Sequence, residues 1–299
     1  MKDFKGRTAF VTGGAHGIGI GLVRALLAEG CRVAIADIRS ESIDQALRAL
    51  NNPLAMGVQL DVSSREAMAR AAKTVEAKFG SVSLLFNNAG VNLFQTIEGS
   101  SFDDWDWVMG VNLHGPINGV MTFVPRMIAA GQGGYVVNTA SMAAFLAAGV
   151  PGIYNTTKFA VRGMSESLRA SLAPHGIGVS VLCPGLVKSY IYASDDIRPD
   201  HLKRDAKPVD VNNVKRLADI HEFGMEGDVI AARVLDAMRE NRFHIFTHPE
   251  FNDELRELFD EILQDFRDYP RDPGFEQRTG FEKTRREGYK RQRQGLKAT

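Results

Sequence analysis

Cysteine is scarce in this sequence. Cys31 and Cys183 are the two among 299 residues, which excludes a disulfide-stapled scaffold, fits a reducing compartment and marks both thiols as small buried hydrophobes. An excess of either charge is missing as well: lysine plus arginine and aspartate plus glutamate each number 36. No general attraction to nucleic acid or to an anionic membrane follows, and neither is expected as a partner. No apolar run reaches the about 18 residues needed to cross a bilayer. The most apolar long stretch, Met142 to Tyr154, is broken by Gly149, Pro151 and Gly152. Met1 to Arg7 contain neither an apolar segment nor a small-residue cleavage site, so a cytoplasmic location is expected. His114, His221, His244 and His248 show no metal-ligand spacing, and no metal is expected. Internal repeats and low-complexity tracts are lacking too.

What is present is a hydrophobic content of 44%, enough for a sizeable core. Short β-branched runs at Thr8–Thr12, Arg32–Ala36, Ala55–Leu60, Val82–Phe86, Tyr135–Asn138 and Gly178–Leu182 alternate with helical patterns. The helical stretches are Ile18–Glu29, Glu41–Leu50, Ser64–Phe79, Phe102–Ala130 and Ile153–Leu172. This rhythm predicts an α/β fold: a Rossmann-type, doubly wound parallel sheet of about seven strands flanked by helices. A helix at Asp228–Glu240 and a strand at Phe243–Thr247 complete it. The dinucleotide-binding and catalytic domain is therefore read as residues 1–248, with an irregular loop at 189–226. Residues 249–299 read as a C-terminal extension. Its helix carries Phe251, Leu255, Leu258, Phe259, Ile262, Leu263 and Phe266 at helical spacing and needs a surface to bury against. The last 30 residues, nine basic against four acidic, read as a solvated arm or a subunit clasp.

The first strand runs into Gly13, Gly14, Ala15, His16, Gly17, Ile18 and Gly19 and then a helix. Glycines at that junction allow close backbone approach, and the free N–H groups of the helix start receive a pyrophosphate. Asp37 ends the second strand 18 residues after Gly19, where a carboxylate accepts hydrogen bonds from adenosine ribose hydroxyls and repels a 2′-phosphate. NAD is accordingly favoured over NADP. Arg39, two residues on, could pair with that phosphate, although a cation directly after the strand or inside the glycine loop would be better placed; otherwise it is an exposed helix-start residue. Asp61 and Val62 either bracket the adenine or belong to a helix cap. Asn87, Asn88, Ala89 and Gly90 end the fourth strand, either as a turn or as groups holding a neighbouring strand and a cofactor ribose.

Tyr154 and Lys158 lie four residues apart on one helical face. A phenol with its usual pKa of about 10 is a poor base at neutral pH unless a cation stabilises its phenolate, and Lys158, with a positive nicotinamide ring nearby, is expected to supply that charge. Ser141, 13 residues before Tyr154, can hold a substrate oxygen against the phenol, and Asn112 can hold a water that connects Lys158 to solvent. Taken singly, such residues also serve as caps and surface pairs.

Together, Thr12-Gly-x3-Gly-x-Gly19, Asn87-Asn-Ala-Gly90, Asn112, Ser141, Tyr154-x3-Lys158 and Pro184-Gly185 resemble, in order and spacing, the short-chain dehydrogenase/reductase family over about residues 4 to 248. The resemblance implies a nicotinamide cofactor, Tyr154 as acid/base, Lys158 on the nicotinamide ribose, Ser141 orienting substrate and Asn112 completing a tetrad. It further implies that Pro184, Gly185, Val187 and Ser189 hold the nicotinamide carboxamide. The passages 91–98, 102–107 and 112–119, with the long tail, look like those of bacterial members that oxidise the benzylic alcohol of lignin-derived aryl ethers. The expected activity is hydride transfer between NAD and a small-molecule secondary alcohol or ketone, in a homodimer or homotetramer. Phe94, Phe145, Leu146, Val150, Leu186, Tyr190, Ile191 and Tyr192 suit the wall of an aromatic substrate site. The competing readings are an NADP-dependent ketone reductase and a catalytically inactive nucleotide-binding regulator or scaffold.

Overall fold

The apolar runs do become strands. The computed structural model describes residues 1, 3–206 and 210–298, with side chains as far as residue 291. It contains β1 (Thr8–Thr12), β2 (Arg32–Asp37), β3 (Ala55–Gln59), β4 (Val82–Asn87), β5 (Gly134–Thr139), β6 (Ile177–Cys183) and β7 (His244–Phe246). Among the described residues these form one parallel sheet of order β3-β2-β1-β4-β5-β6-β7. Strand order reverses between β1 and β4, the place where open α/β sheets part their connecting loops into a crevice.

Every residue of β1 is buried because the sheet is covered on both faces. Ala9 and Val11 join one core with Leu22 and Leu26 of α1 (Gly17–Ala28) and with Ala46 of α2 (Ser40–Leu50). Phe10 joins the opposite core with α3 (Arg65–Phe79), and its ring lies 4.6 Å from that of Phe123. After α3 come α4 (Phe102–Met109), α5 (Gly115–Ala130), α6 (Gly152–Leu172), α7 (Val211–His221) and α8 (Gly227–Arg239). On the first face, α1 and α8 meet backbone to backbone. A β-carbon on Gly21 would lie 2.4 Å from the carbonyl of Gly227, so glycine is required for this approach.

Three stretches depart from the sequence expectation. The helix expected over 102–130 is interrupted by a π-helical turn at Gly110–His114, in which the Gly115 N–H reaches back five residues to the Gly110 carbonyl. The irregular loop at 189–226 holds 3₁₀ turns at Ile191–Ile197 and Asp200–Leu202 and the helix α7, while 207–209 lie outside the described residues. Asp210 caps α7, accepting from the N–H groups of Asn212 at 3.0 Å and Asn213 at 3.3 Å. The basic tail, expected as an arm, is the helix α10 (Phe275–Ala298), with residues from 292 onward outside the described side chains.

The chain divides into two units, Met1–Thr247 and His248–Thr299. In the second, α9 (Asn252–Gln264) precedes α10, and Asp272 ties the start of α10 by bonding the Gly274 N–H and Arg278. No described residue of α9 is buried, and Phe259, Ile262 and Leu263 stand exposed. No helix among the described residues is long and apolar enough to cross a membrane.

Candidate active site

The carboxyl ends of the central strands carry the residues that the sequence singles out. Immediately after β1, the backbone doubles back on itself. A β-carbon on Gly19 would fall 1.9 Å from the Gly13 carbonyl oxygen, which fixes glycine at the start of α1. The Gly14 N–H bonds the Ala36 carbonyl of β2 at 3.1 Å, and the Ala15 N–H reaches the Asp37 carboxylate at 3.3 Å. Asp37 is thus held at the rim of the glycine loop, its other oxygen accepting from the Arg39 N–H at 3.4 Å. Arg39 is exposed, and its guanidinium lies 3.4 Å from the His16 ring. Burial first, then the charge of Arg39, hold the His16 pKa below its usual value against the pull of Asp37.

Asn88 binds this loop to β4. Its amide nitrogen donates to the carbonyls of Thr12 and Gly13 at 3.2 and 3.3 Å, and its main-chain N–H donates to the Thr12 hydroxyl at 2.9 Å. Ala89 N–H shares that hydroxyl at 3.0 Å, and Thr139 donates to the Asn88 amide oxygen at 3.3 Å. Asn87 is buried and donates to Asn138 at 2.8 Å, which donates to Ser165 of α6 at 2.9 Å. Asn87 and Asn88 thus hold the neighbouring strands β5 and β1 together with β4. Asp61 does not cap α3. Ser64 does, accepting the Ala67 N–H at 3.1 Å, whereas Asp61 turns its carboxylate onto the Ser63 N–H and hydroxyl. Val62 is buried, and its carbonyl accepts from Asn118.

Lys158 and Tyr154 converge as their spacing requires. The Lys158 ammonium stands 5.2 Å from the centre of the Tyr154 ring and donates to the Thr139 carbonyl at 2.9 Å. The Ser141 hydroxyl lies near enough to the phenol to favour its ionised form, accepts from the Ala143 N–H at 3.1 Å and donates to the Pro184 carbonyl at 3.4 Å. Burial pushes the Tyr154 phenol up to about 12, with the Ser141 hydroxyl opposing, and pulls the Lys158 ammonium down to about 8. Desolvation is the largest influence on both groups. The protein alone therefore holds a neutral phenol beside a weakened ammonium.

Asn112 sits in the π-turn, and its amide is spent on main chain rather than left open to water. Its oxygen accepts from the Val91 N–H at 2.8 Å and its nitrogen donates to the Val91 carbonyl at 2.8 Å. Gly90 passes between the groups: a β-carbon there would stand 3.4 Å from the Asn112 oxygen and 3.6 Å from the Lys158 ammonium. The turn is what brings Asn112 to this position.

The segment after β6 closes over the edge. Pro184 is buried, Val187 forms a two-residue bridge with Met225, and Ser189 lies against Gly17, its β-carbon 3.3 Å from where a Gly17 side chain would begin. Lys188 pairs with Glu222 and Glu226 at 3.3 and 3.4 Å. Of the expected aromatic wall, Phe145 faces elsewhere: it is buried beneath the Arg162 guanidinium at 3.9 Å and against Phe246 at 5.5 Å. Tyr190 stands edge-on to His16, 6.1 Å between ring centres, so it meets the glycine loop. Sequence reasoning missed Thr139, Asn138 and the Asp104–Arg198 pair. A threonine and an asparagine buried at a strand end are a signal for the first two, whereas the pair has none.

The family described as short chain dehydrogenase matches residues 7–198. A C alpha-dehydrogenase from Sphingobium sp. (strain NBRC 103272 / SYK-6) is 38% identical over 276 residues, covering 91% of this chain and 90% of the relative. Among solved structures, a chain from Novosphingobium aromaticivorans described as a short-chain dehydrogenase is 59% identical, with a TM-score of 0.88, over 99% of this chain and 100% of that one. A short chain dehydrogenase/reductase from Burkholderia phymatum, in complex with NAD, is 33% identical with a TM-score of 0.83, over 91% of this chain and 100% of that one. With a glycine loop, a Tyr–Lys pair and a matching fold on one sheet edge, this chain belongs to the short chain dehydrogenase family and is an oxidoreductase that works with a nicotinamide cofactor on an alcohol or ketone.

Proposed function

We propose that the protein oxidises a bulky aromatic secondary alcohol, of the benzylic aryl-ether type, with NAD. The observation that carries this reading is the meeting of Ser141, Tyr154 and Lys158 beside a glycine loop guarded by the Asp37 carboxylate. The C alpha-dehydrogenase relative supports the substrate class.

The residues present fit the cofactor. The Gly13–Gly19 fold-back, too tight for a β-carbon on Gly19, sets the α1 N-terminus where its free N–H groups would receive a pyrophosphate. Asp37 accepts from ribose hydroxyls and disfavours a 2′-phosphate, while Arg39 is engaged with His16. Asp61 and Val62 flank the adenine. Asn88, Ala89, Gly90 and Lys158 serve the nicotinamide ribose, and the backbone of Pro184, Gly185, Val187 and Ser189 serves the carboxamide. When bound, the oxidised nicotinamide supplies a hydride acceptor and a positive charge.

Ser141 holds the substrate oxygen with its hydroxyl, and Tyr154 takes the proton from that oxygen as phenolate. Lys158 stabilises the phenolate from its seat on Thr139. Asn112, by fixing Val91 and Gly90, keeps the proton exit beside Lys158 in place. Reduction of a ketone runs the same transfers backward. Phe94, Leu146, Val150, Leu186, Ile191 and Tyr192 supply apolar surface for the aryl group. A cytoplasmic setting and assembly as a homodimer or homotetramer complete the reading, supported by two buried free thiols and by exposed Phe102 and Met121.

The test is NADH formation across a panel of aryl and aliphatic alcohols, with Tyr154→Phe as the control. Turnover by the variant should fall about 10³-fold while NADH binding persists. Unchanged turnover, or no turnover of any alcohol by the natural sequence, overturns the reading.

A further inference from the structure

Asp104, in the first turn of α4, is almost wholly buried and collects three donors from three separate segments. The Ser101 N–H bonds it at 2.7 Å, Gln95 Nε2 at 2.8 Å and Arg198 Nη1 at 2.6 Å. Each donor belongs to a different part of the site. Ser101 caps α4. Gln95 lies in the loop that follows Gly90, and its carbonyl accepts the N–H of Gly152, two residues before Tyr154 on α6, at 3.1 Å. Arg198 ends the 3₁₀ turn of the segment that covers the catalytic edge.

The Arg198–Asp104 pair is poorly suited to a purely stabilising role. Both side chains are 2% exposed, and the Arg198 Nε and Nη2 atoms are buried without hydrogen-bond partners. Replacing such a pair by packed apolar groups is often neutral or stabilising, so its presence is better explained by position than by stability. The surroundings supply one. Trp107 lies under the guanidinium at 5.3 Å, and Ile197 and Leu202 pack on a cluster of Val91, Trp107, Val108 and Ile153. Ile153 adjoins Tyr154, and Val91 is the residue that Asn112 grips. A second tie runs from the Asn92 N–H to the Ser194 hydroxyl at 3.1 Å.

We propose that Asp104 and Arg198 are positioning residues that register the 191–202 segment against the Tyr154 helix and so set which bulky alcohols fit between them. The ion pair does this better than apolar packing because a 2.6 Å charged contact admits one register, whereas side chains of Ile197 and Leu202 can slide. The kinetic part of the proposal rests on the alcohol dehydrogenase reading above, and the structural part does not.

Two measurements on the full chain separate them. By amide hydrogen exchange, Asp104→Asn and Arg198→Met should each speed exchange about tenfold within 191–202 and leave the central strands as protected as before. By steady-state kinetics, KM for a bulky aryl alcohol should rise about tenfold, more than kcat falls, while KM for propan-2-ol moves little. Arg198→Lys, which keeps a charge opposite Asp104, should recover most of the loss. Should the single variants not fold, Asp104→Leu combined with Arg198→Met removes the charges together; it should fold and still show the raised KM. Unaltered exchange in 191–202, exchange that rises throughout Met1–Thr247, or a double variant with an unaltered KM overturns the proposal. If the natural sequence turns over no alcohol, the functional reading falls while the exchange result still decides this one.

Discussion

The two sides of the crevice are built by different means. The proposed cofactor side is shaped by main chain: Gly13, Gly19, Ala36 and Asn88 interlock so closely that single methyl groups are excluded. The proposed substrate side is held by long-range side-chain ties, Arg198 to Asp104, Arg204 to Asp103 at 3.0 Å, and Lys188 to Glu222. Backbone geometry suits a ligand that is the same in every turnover. Side-chain ties suit a surface whose partner differs between relatives, because one substitution resets them.

Substitutions on the two sides should therefore differ in severity. The greatest effect is expected from Gly19→Val, which drives carbon into the Gly13 carbonyl; NADH affinity measured by fluorescence titration should fall more than about 100-fold. Affinity near that of the natural sequence would break the contrast. Next is Lys158→Met, at the junction of the two sides. Alcohol oxidation should fall about 100-fold, yet thermal or urea unfolding at neutral pH should show a gain of about 2 kcal/mol, since a shift from 10.5 to about 8 represents ~3 kcal/mol of charge burial, less the lost bond to Thr139. The sign follows from proton counting. Below about 8 both states carry the charge and the folded state bears its desolvation. Between 8 and 10.5 the unfolded chain binds more protons, so stability of the natural sequence rises with pH and the gain from Lys158→Met should fade. A gain independent of pH would contradict this account. The mildest is Asp37→Asn, which removes the carboxylate at the loop rim. The ratio of kcat/KM for NAD to that for NADP should fall about tenfold through loss of repulsion, and an unchanged ratio would place cofactor choice elsewhere, with Arg39 the next residue to change.

Much of the first side was legible in the sequence. Strand β1 begins and ends where its apolar run does, and Asp37, Ser141 and the Tyr154–Lys158 pair carry local signals that a strand end or a helical face makes visible. The second side was not. Asp104 and Arg198 are 94 residues apart, and nothing near either marks its partner. The π-turn at Asn112 is invisible for the same reason, since the extra residue is stabilised by Val91, which lies on another segment. The helix α10 was missed because Pro270, Pro273 and several glycines suggested a loop, whereas the prolines end before its first turn and Asp272 anchors it. Lys158 shows a further limit: spacing announces a Tyr–Lys pair, but only burial reveals that water exclusion dominates its electrostatics.

The glycine contact between α1 and α8 bears on how this architecture diversifies. Because Gly21 and Gly227 fuse the helix behind the glycine loop to α8, and the Val187–Met225 bridge ties the two ends of the segment between β6 and α8 to each other, both stems of that segment spring from a rigid foundation. That segment can lengthen, shorten or exchange its contents as a cassette, and new substrate preferences can arise without rebuilding the nucleotide cleft.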